Sequence, residues 1–188
     1  MQYQSFIYIT LVAIAAIVDI AFAAPSSDSH LHCASTLADI TPDMEHLRIE
    51  ITRWEPHDNY EGFESIQKLE QKVEQRIQDA RDNCNFGGEK ASTILSGTIM
   101  SAYHSLVPDI EDLMDTMIQK KPEFDSVPKV TPLVKQDIHD MFLKTYYLEQ
   151  ELIAVASDGD KDRAQDYYHR IDHAFSSAYH AYGFYPTA

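Results

Sequence analysis

Apolar residues recur three or four positions apart along most of the chain, which is the spacing that places side chains on one face of an α-helix. The segments with this pattern are residues 31–54, 60–83, 89–120, 131–155 and 160–182. No segment alternates between apolar and polar residues as a half-buried strand does. Because the connections are short, we predict an all-α fold, an antiparallel bundle of about five helices.

Prolines and capping residues set the predicted helix ends. Thr41 and Thr131 each precede a proline, the arrangement typical of an N-cap followed by the first helical residue. Pro122 is expected to end the third helix just after Lys120. Pro108 lies inside the same helix, where it is expected either to kink the helix around a cavity or to mark the junction of two helices.

The N-terminus has the features of a secretory signal peptide. A nearly unbroken apolar run, residues 6–22, overlaps a small-x-small sequence at residues 21–23. We therefore predict a signal peptide over residues 1–23 and a single helical-bundle domain over residues 24–188. An uncleaved signal anchor is the alternative, and Asp19 disfavours it because a carboxylate is costly in lipid. No other segment is long and apolar enough to cross a membrane, so we expect no integral membrane segment after cleavage.

The chain has two cysteines, Cys33 and Cys84. In an oxidising compartment such a pair is most simply one disulfide, and we predict that it joins the N-terminal segment to the end of the second helix. Two ligands are too few for a structural zinc site. The wide spacing also excludes a Cys-x-x-Cys redox motif.

The net charge of −15 excludes binding to nucleic acid or to an anionic membrane through bulk electrostatics. Motifs for catalysis or metal binding are weak. His169, His173 and His180 share one face of the last helix, but that face is opposite its apolar stripe, so we expect them to face solvent. Residues 158–162 lack the bidentate Glu of a calcium loop. Gly-x-Ser-x-Gly and phosphate-binding loops are absent from the sequence, and we predict no enzyme, metal or cofactor.

The second half of the chain carries a family resemblance. The relevant stretches, in order, are residues 113–118, Lys120-Lys121-Pro122-Glu123-Phe124, residues 134–153, Ile171-Asp172-His173-Ala174-Phe175 and Ala181-Tyr182. This order resembles the fungal hydrophobic surface-binding protein A family, which includes the cell wall galactomannoproteins. The resemblance covers residues 37–182. It implies a secreted, all-helical protein that binds fatty acids or hydrophobic surfaces and catalyses no reaction.

Methionines and aromatic residues are concentrated on the inner faces of the third, fourth and fifth predicted helices. Methionine adapts to irregular shapes and suits a promiscuous apolar pocket, although the same residues also make an ordinary core. If a cavity exists, we expect these residues to line it: Met100, Tyr103, Leu106, Ile110, Met114, Met117, Met141, Phe142, Tyr146 and Phe175. A fatty-acid carboxylate would need a hydrogen-bond donor such as Tyr103 or Tyr146.

We therefore predict a secreted, extracellular protein that binds fatty acids, other lipids or hydrophobic surfaces, with association to the cell wall left open. In one mechanism a cavity sequesters the ligand. In another the bundle presents its apolar face to a hydrophobic solid and recruits a secreted hydrolase to it, for which exposed tyrosines near the C-terminus are suited. A secreted effector that engages a host protein through its acidic surface is the main alternative.

Overall fold

The computed structural model describes residues 27–184, including every side chain except those of residues 27, 58 and 59. The predicted signal peptide, residues 1–23, lies outside the described residues. The helices are α1 (Ser27–Ala38), α2 (Ile40–Arg53), α3 (Asn59–Cys84), α4 (Thr93–Ser126), α5 (Val130–Val155) and α6 (Lys161–Tyr182), with a 3₁₀ turn at Pro56–Asp58. Only Asp39 separates α1 from α2, so these two helices together form the first predicted element. The all-α fold of about five helical elements is confirmed.

The five elements form a ring in the order α1/α2, α4, α6, α5 and α3, in which each packs against the next. Helices that follow one another in the sequence run in opposite directions, as predicted. Some spatial neighbours nevertheless run parallel. The ends of α2 and α4 meet where Lys120 Nζ donates to the Trp54 carbonyl oxygen at 2.7 Å, and the ends of α4 and α6 meet where the Tyr182 hydroxyl donates to the Met117 carbonyl oxygen at 2.7 Å.

Aromatic packing and a disulfide hold α1 and α2 to the other helices. The rings of Trp54, Phe63 and Phe124 contact one another at centroid distances of 5.2 to 6.1 Å, and all three are buried. The predicted disulfide between Cys33 and Cys84 is confirmed, and it joins α1 to the end of α3 with 4.8 Å between the Cα atoms. Within residues 27–184, every helix is too short or too polar to cross a membrane.

The prediction that Pro122 ends the third helix was wrong. Helix α4 is continuous from Thr93 to Ser126, through both Pro108 and Pro122. Proline removes one backbone donor, but the turn after Pro122 buries Phe124 completely against Trp54 and Phe63. Burial of an aromatic ring thus outweighs the lost hydrogen bond. Continuity also excludes a junction of two helices at Pro108.

Both predicted threonine N-caps were also wrong. Helix α2 begins at Ile40, before Thr41, and the Thr41 hydroxyl lies beside the Asp109 carboxyl of α4, where burial raises the pKa of that carboxyl and the hydroxyl acts to lower it. Helix α5 begins at Val130, and the Thr131 hydroxyl donates to Asp125 Oδ1 at 2.7 Å. In each case the first helical residue is a fully buried β-branched residue, Ile40 or Val130, and its packing places the helix start one residue before the threonine. The threonines are then free to bond with side chains.

Candidate functional site

The residues predicted to contact a ligand lie on α4, α5 and α6. Most are buried in the interior: Met100, Tyr103, Leu106, Ile110, Met114, Met117, Met141 and Phe175. Phe142 and Tyr146 are partly buried on α5. The ring centroid of Phe142 lies 5.5 Å from that of Phe175 on α6 and 6.2 Å from that of Tyr146. Burial is also what an ordinary core requires, so ligand contact by these residues stays a prediction.

A polar pair, Tyr103 of α4 and Glu149 of α5, is buried in this apolar interior. The Tyr103 hydroxyl donates to Glu149 Oε1 at 3.1 Å, and the two residues are 1% and 2% exposed. Burial raises the pKa of Glu149 to about 9, against the opposing effect of the Tyr103 hydrogen bond. Burial, followed by the nearby Glu149 charge, also raises the pKa of Tyr103. At neutral pH the pair therefore consists of a phenol and a protonated carboxylic acid.

Sequence reasoning proposed Tyr103 as a donor but missed Glu149. The available signal was periodicity, because Glu149 lies four residues after Thr145 on the stripe that includes Met141 and Leu152. An acid on the buried stripe of a helix is rarely found without a partner. In a chain with 30 acidic residues, however, this position did not stand out.

Two buried hydroxyls near this interior have no hydrogen-bond partner in the described structure, those of Thr145 and Tyr179. Thr145 is 2% exposed and lies one helical turn before Glu149 on the same face of α5. A buried hydroxyl without a partner costs about 1 to 3 kcal/mol. Such a group marks a position where a bound molecule could supply the missing hydrogen bond.

Aromatic rings connect this interior to the surface along the seam between α5 and α6. Tyr179 contacts Phe142 at 5.5 Å between ring centroids, Phe142 contacts Tyr146, and Tyr146 contacts Tyr147 at 5.5 Å. Tyr147 is 47% exposed and its neighbour Leu143 is 36% exposed. The seam is therefore a continuous series of ring contacts from the exposed Tyr147 to the buried Tyr179 and Phe175.

The C-terminal tyrosines do not form the exposed group that would suit surface adhesion. Tyr167, Tyr179 and Tyr182 are all buried and Tyr168 is half-buried, while Tyr185 lies outside the described residues. Helix α6 packs against both α4 and α5, so these rings face inward. Among the described residues of α5 and α6, only Tyr147 exposes a large part of a Phe or Tyr ring.

A second group of buried carboxyls lies between α3 and α5. Glu70 and Glu74 are both buried, and the Lys144 ammonium forms an ion pair with Glu74. Burial, a hydrogen bond to Glu74 and the charge of Asp137 raise the pKa of Glu70 to about 10. Burial and the charges of Glu74 and Asp140 raise the pKa of Asp137 to about 7. This group lies on the side of α5 that faces α3, and it bears on stability.

The described surface carries several polar clefts. A cleft of about 380 Å³ lies between α2 and α3 beside Trp54 and Glu61, and it contains none of the predicted ligand residues. His169, His173 and His180 are exposed, as predicted. Among residues 27–184 there is no cluster of three or more side chains suited to hold a metal ion.

Comparisons with known proteins agree with this architecture. Residues 33–154 match the family described as hydrophobic surface binding protein A. The structure of Afmp4p in complex with palmitic acid superposes with a TM-score of 0.76 and 28% sequence identity, over 81% of this chain and 99% of that one. Ligand binding domain 1 of the Penicillium marneffei MP1 protein, complexed with arachidonic acids, superposes with a TM-score of 0.71 over 84% of this chain and 99% of that domain. Its sequence is 9% identical, so this comparison shows the shared fold alone. No curated protein sequence matches significantly.

Proposed function

Because the chain belongs to the hydrophobic surface binding protein A family, we propose that it is a non-enzymatic carrier that holds a fatty acid or a similar apolar ligand between α4, α5 and α6. The observation that carries the proposal is the similarity to Afmp4p, a protein whose structure contains palmitic acid. At 28% identity over most of both chains, this similarity extends beyond the fold.

The interior supports the proposal through its methionines. Met100, Met114, Met117 and Met141 are each at most 4% exposed. Unbranched thioether side chains can change rotamer to open space for an acyl chain without breaking a hydrogen bond. Each methylene of the ligand that leaves water contributes about 0.8 kcal/mol. The aromatic seam between α5 and α6 is the entry path, because Phe142 and Tyr146 are only partly buried and Tyr147 is exposed.

An extracellular location fits the same account. The disulfide between Cys33 and Cys84 requires an oxidising compartment, and the predicted signal peptide would deliver the chain to one. Association with the cell wall is consistent with the family. Recruitment of a secreted hydrolase and engagement of a host protein stay predictions.

Binding to a hydrophobic surface is the second candidate function, and the exposure of Leu143 and Tyr147 beside the aromatic seam favours it. Replacing both by Ser would weaken adsorption to hydrophobic beads if this face makes the contact. Unchanged adsorption would exclude α5 as the adhesive face. The same variant should keep its fatty acid if the ligand lies inside the bundle.

Native mass spectrometry tests the carrier function. The purified, delipidated protein with its disulfide intact should form discrete palmitic acid adducts. Phe142→Asp, which places a charge at the entry path, should lose them, whereas the matched variant Ile94→Asp should keep them because Ile94 is 83% exposed at the start of α4. Circular dichroism checks that both variants fold. An adduct-free spectrum of the folded parent protein would refute the carrier function.

A further inference from the structure

We propose that Tyr103 and Glu149 form the head-group site of this carrier, and that the site takes a carboxylic acid which shares a single proton with the Glu149 carboxyl. This inference rests on the proposed function. It adds the residues that recognise the polar end of the ligand and the way in which they bind it.

The geometry places a buried polar pair in an otherwise apolar interior. Tyr103 and Glu149 face each other from α4 and α5, joined by the 3.1 Å hydrogen bond, and the Tyr103 ring meets Tyr167 of α6 edge-on at a centroid distance of 5.2 Å. All three helices thus contribute to the site. In this proposal the acyl chain extends among the buried methionines and Phe175 of the same three helices.

The proton count favours an acid over other head groups. A buried Glu149 with a pKa of about 9 is protonated at neutral pH and can donate to a ligand carboxylate. The complex then holds two carboxyls and one proton, since two ionised carboxylates side by side would repel each other. Asp172 of α6 adds a further negative potential, which disfavours full ionisation of the pair. An ester carbonyl oxygen can accept the hydrogen bond from Glu149, but it carries no charge, so that hydrogen bond is weaker.

Thr145 provides an independent observation at the same place. Its hydroxyl is buried, has no partner in the described structure and lies one turn from Glu149 on the same face of α5. A carboxylate has two oxygens and accepts several hydrogen bonds. One oxygen can accept from Glu149, and the other can accept from Thr145, whose hydroxyl would otherwise stay unpaired.

A competition experiment tests the head-group site. Palmitic acid and methyl palmitate, at equal concentration and neutral pH, are offered to the delipidated protein, and the adducts are counted by native mass spectrometry. We expect the parent protein to prefer the acid by roughly tenfold or more, as for a buried hydrogen bond to a charged group. Glu149→Leu should abolish the preference while methyl palmitate still binds. Glu149→Gln keeps a donor and should retain most of the preference.

The matched control is Glu151→Gln, on the same helix but in contact with Asn85 at the surface, and it should behave as the parent protein. Equal binding of acid and ester by the parent protein, or an unchanged preference in Glu149→Leu, would overturn the head-group site while leaving the carrier function intact. If neither ligand binds the folded parent protein, the carrier function itself fails. Persistent methyl palmitate binding by Glu149→Leu shows that this variant still folds.

Discussion

The buried carboxyl Glu70 should make the folded protein less stable as the pH rises. Glu70 lies between α3 and α5, is 4% exposed, and bonds to Glu74, which forms an ion pair with Lys144. Its pKa is raised from 4.5 to about 10 in the folded state. Between these values the folded protein holds a proton that the unfolded chain releases, so the free energy of unfolding falls with increasing pH.

The size of this change in the free energy of unfolding follows from the release of one proton. Where the folded and unfolded states differ by a full proton, the free energy of unfolding falls by about 1.4 kcal/mol for each pH unit. Glu70 alone therefore lowers the free energy of unfolding by about 2.5 kcal/mol between about pH 5 and pH 7. Glu70→Gln keeps the shape and a donor toward Glu74 but cannot titrate. Its free energy of unfolding should therefore fall by about 2.5 kcal/mol less than that of the parent protein over this interval. The stability of this variant still depends on pH to some extent, because Asp137 has a pKa of about 7.

Urea denaturation followed by circular dichroism, at several pH values across this interval, measures the effect. The matched control is Glu64→Gln, because Glu64 is exposed on the same helix, and its pH dependence should equal that of the parent protein. If Glu70→Gln and the parent protein lose the same stability between pH 5 and pH 7, the argument that Glu70 folds in its protonated form is refuted.

Three further predictions concern stability. Replacing Cys33 and Cys84 by Ala should lower the free energy of unfolding by about 4 kcal/mol, which is the loss of chain-entropy stabilisation for a loop spanning 51 residues. Equal urea midpoints with and without the disulfide would contradict this prediction. Tyr182→Phe should cost about 1 kcal/mol because it removes the buried bond to the Met117 carbonyl oxygen. Tyr179→Phe should be neutral or stabilising, since its buried hydroxyl has no partner in the described structure. Thermal denaturation ranks the two variants, and the opposite order would show that these hydroxyl assignments are incorrect.

The fold could be predicted because the apolar spacing is regular and local. The inner positions of the five elements recur at helical intervals, and the cysteines had only one possible intramolecular pairing. Helix ends were less predictable because they depend on packing between distant segments. Phe124 keeps α4 helical beyond Pro122 only because Trp54 and Phe63 are there to receive its ring. Nothing within a few residues of Pro122 reveals that contact.

The candidate site was predictable in composition but not in its polar chemistry. Burial of the methionines on α4 and α5 follows from periodicity. The pairing of Tyr103 with Glu149 joins positions 46 residues apart, and only the packing of α4 beside α5 brings them together. The parallel packing of α4 against α6 could not be predicted from the sequence pattern either. That pattern indicates only that consecutive elements run in opposite directions.

The most direct test of the central claim uses the methionine methyl groups as internal reporters. The protein is labelled with carbon-13 at its methionine methyls and titrated with palmitic acid in NMR experiments. If the ligand lies between α4, α5 and α6, the signals of Met100, Met114, Met117 and Met141 shift and show contacts to the acyl chain, whereas that of Met44, buried on α2, is affected least. Unchanged signals for all four interior methionines while palmitic acid is bound would contradict a site inside this part of the bundle.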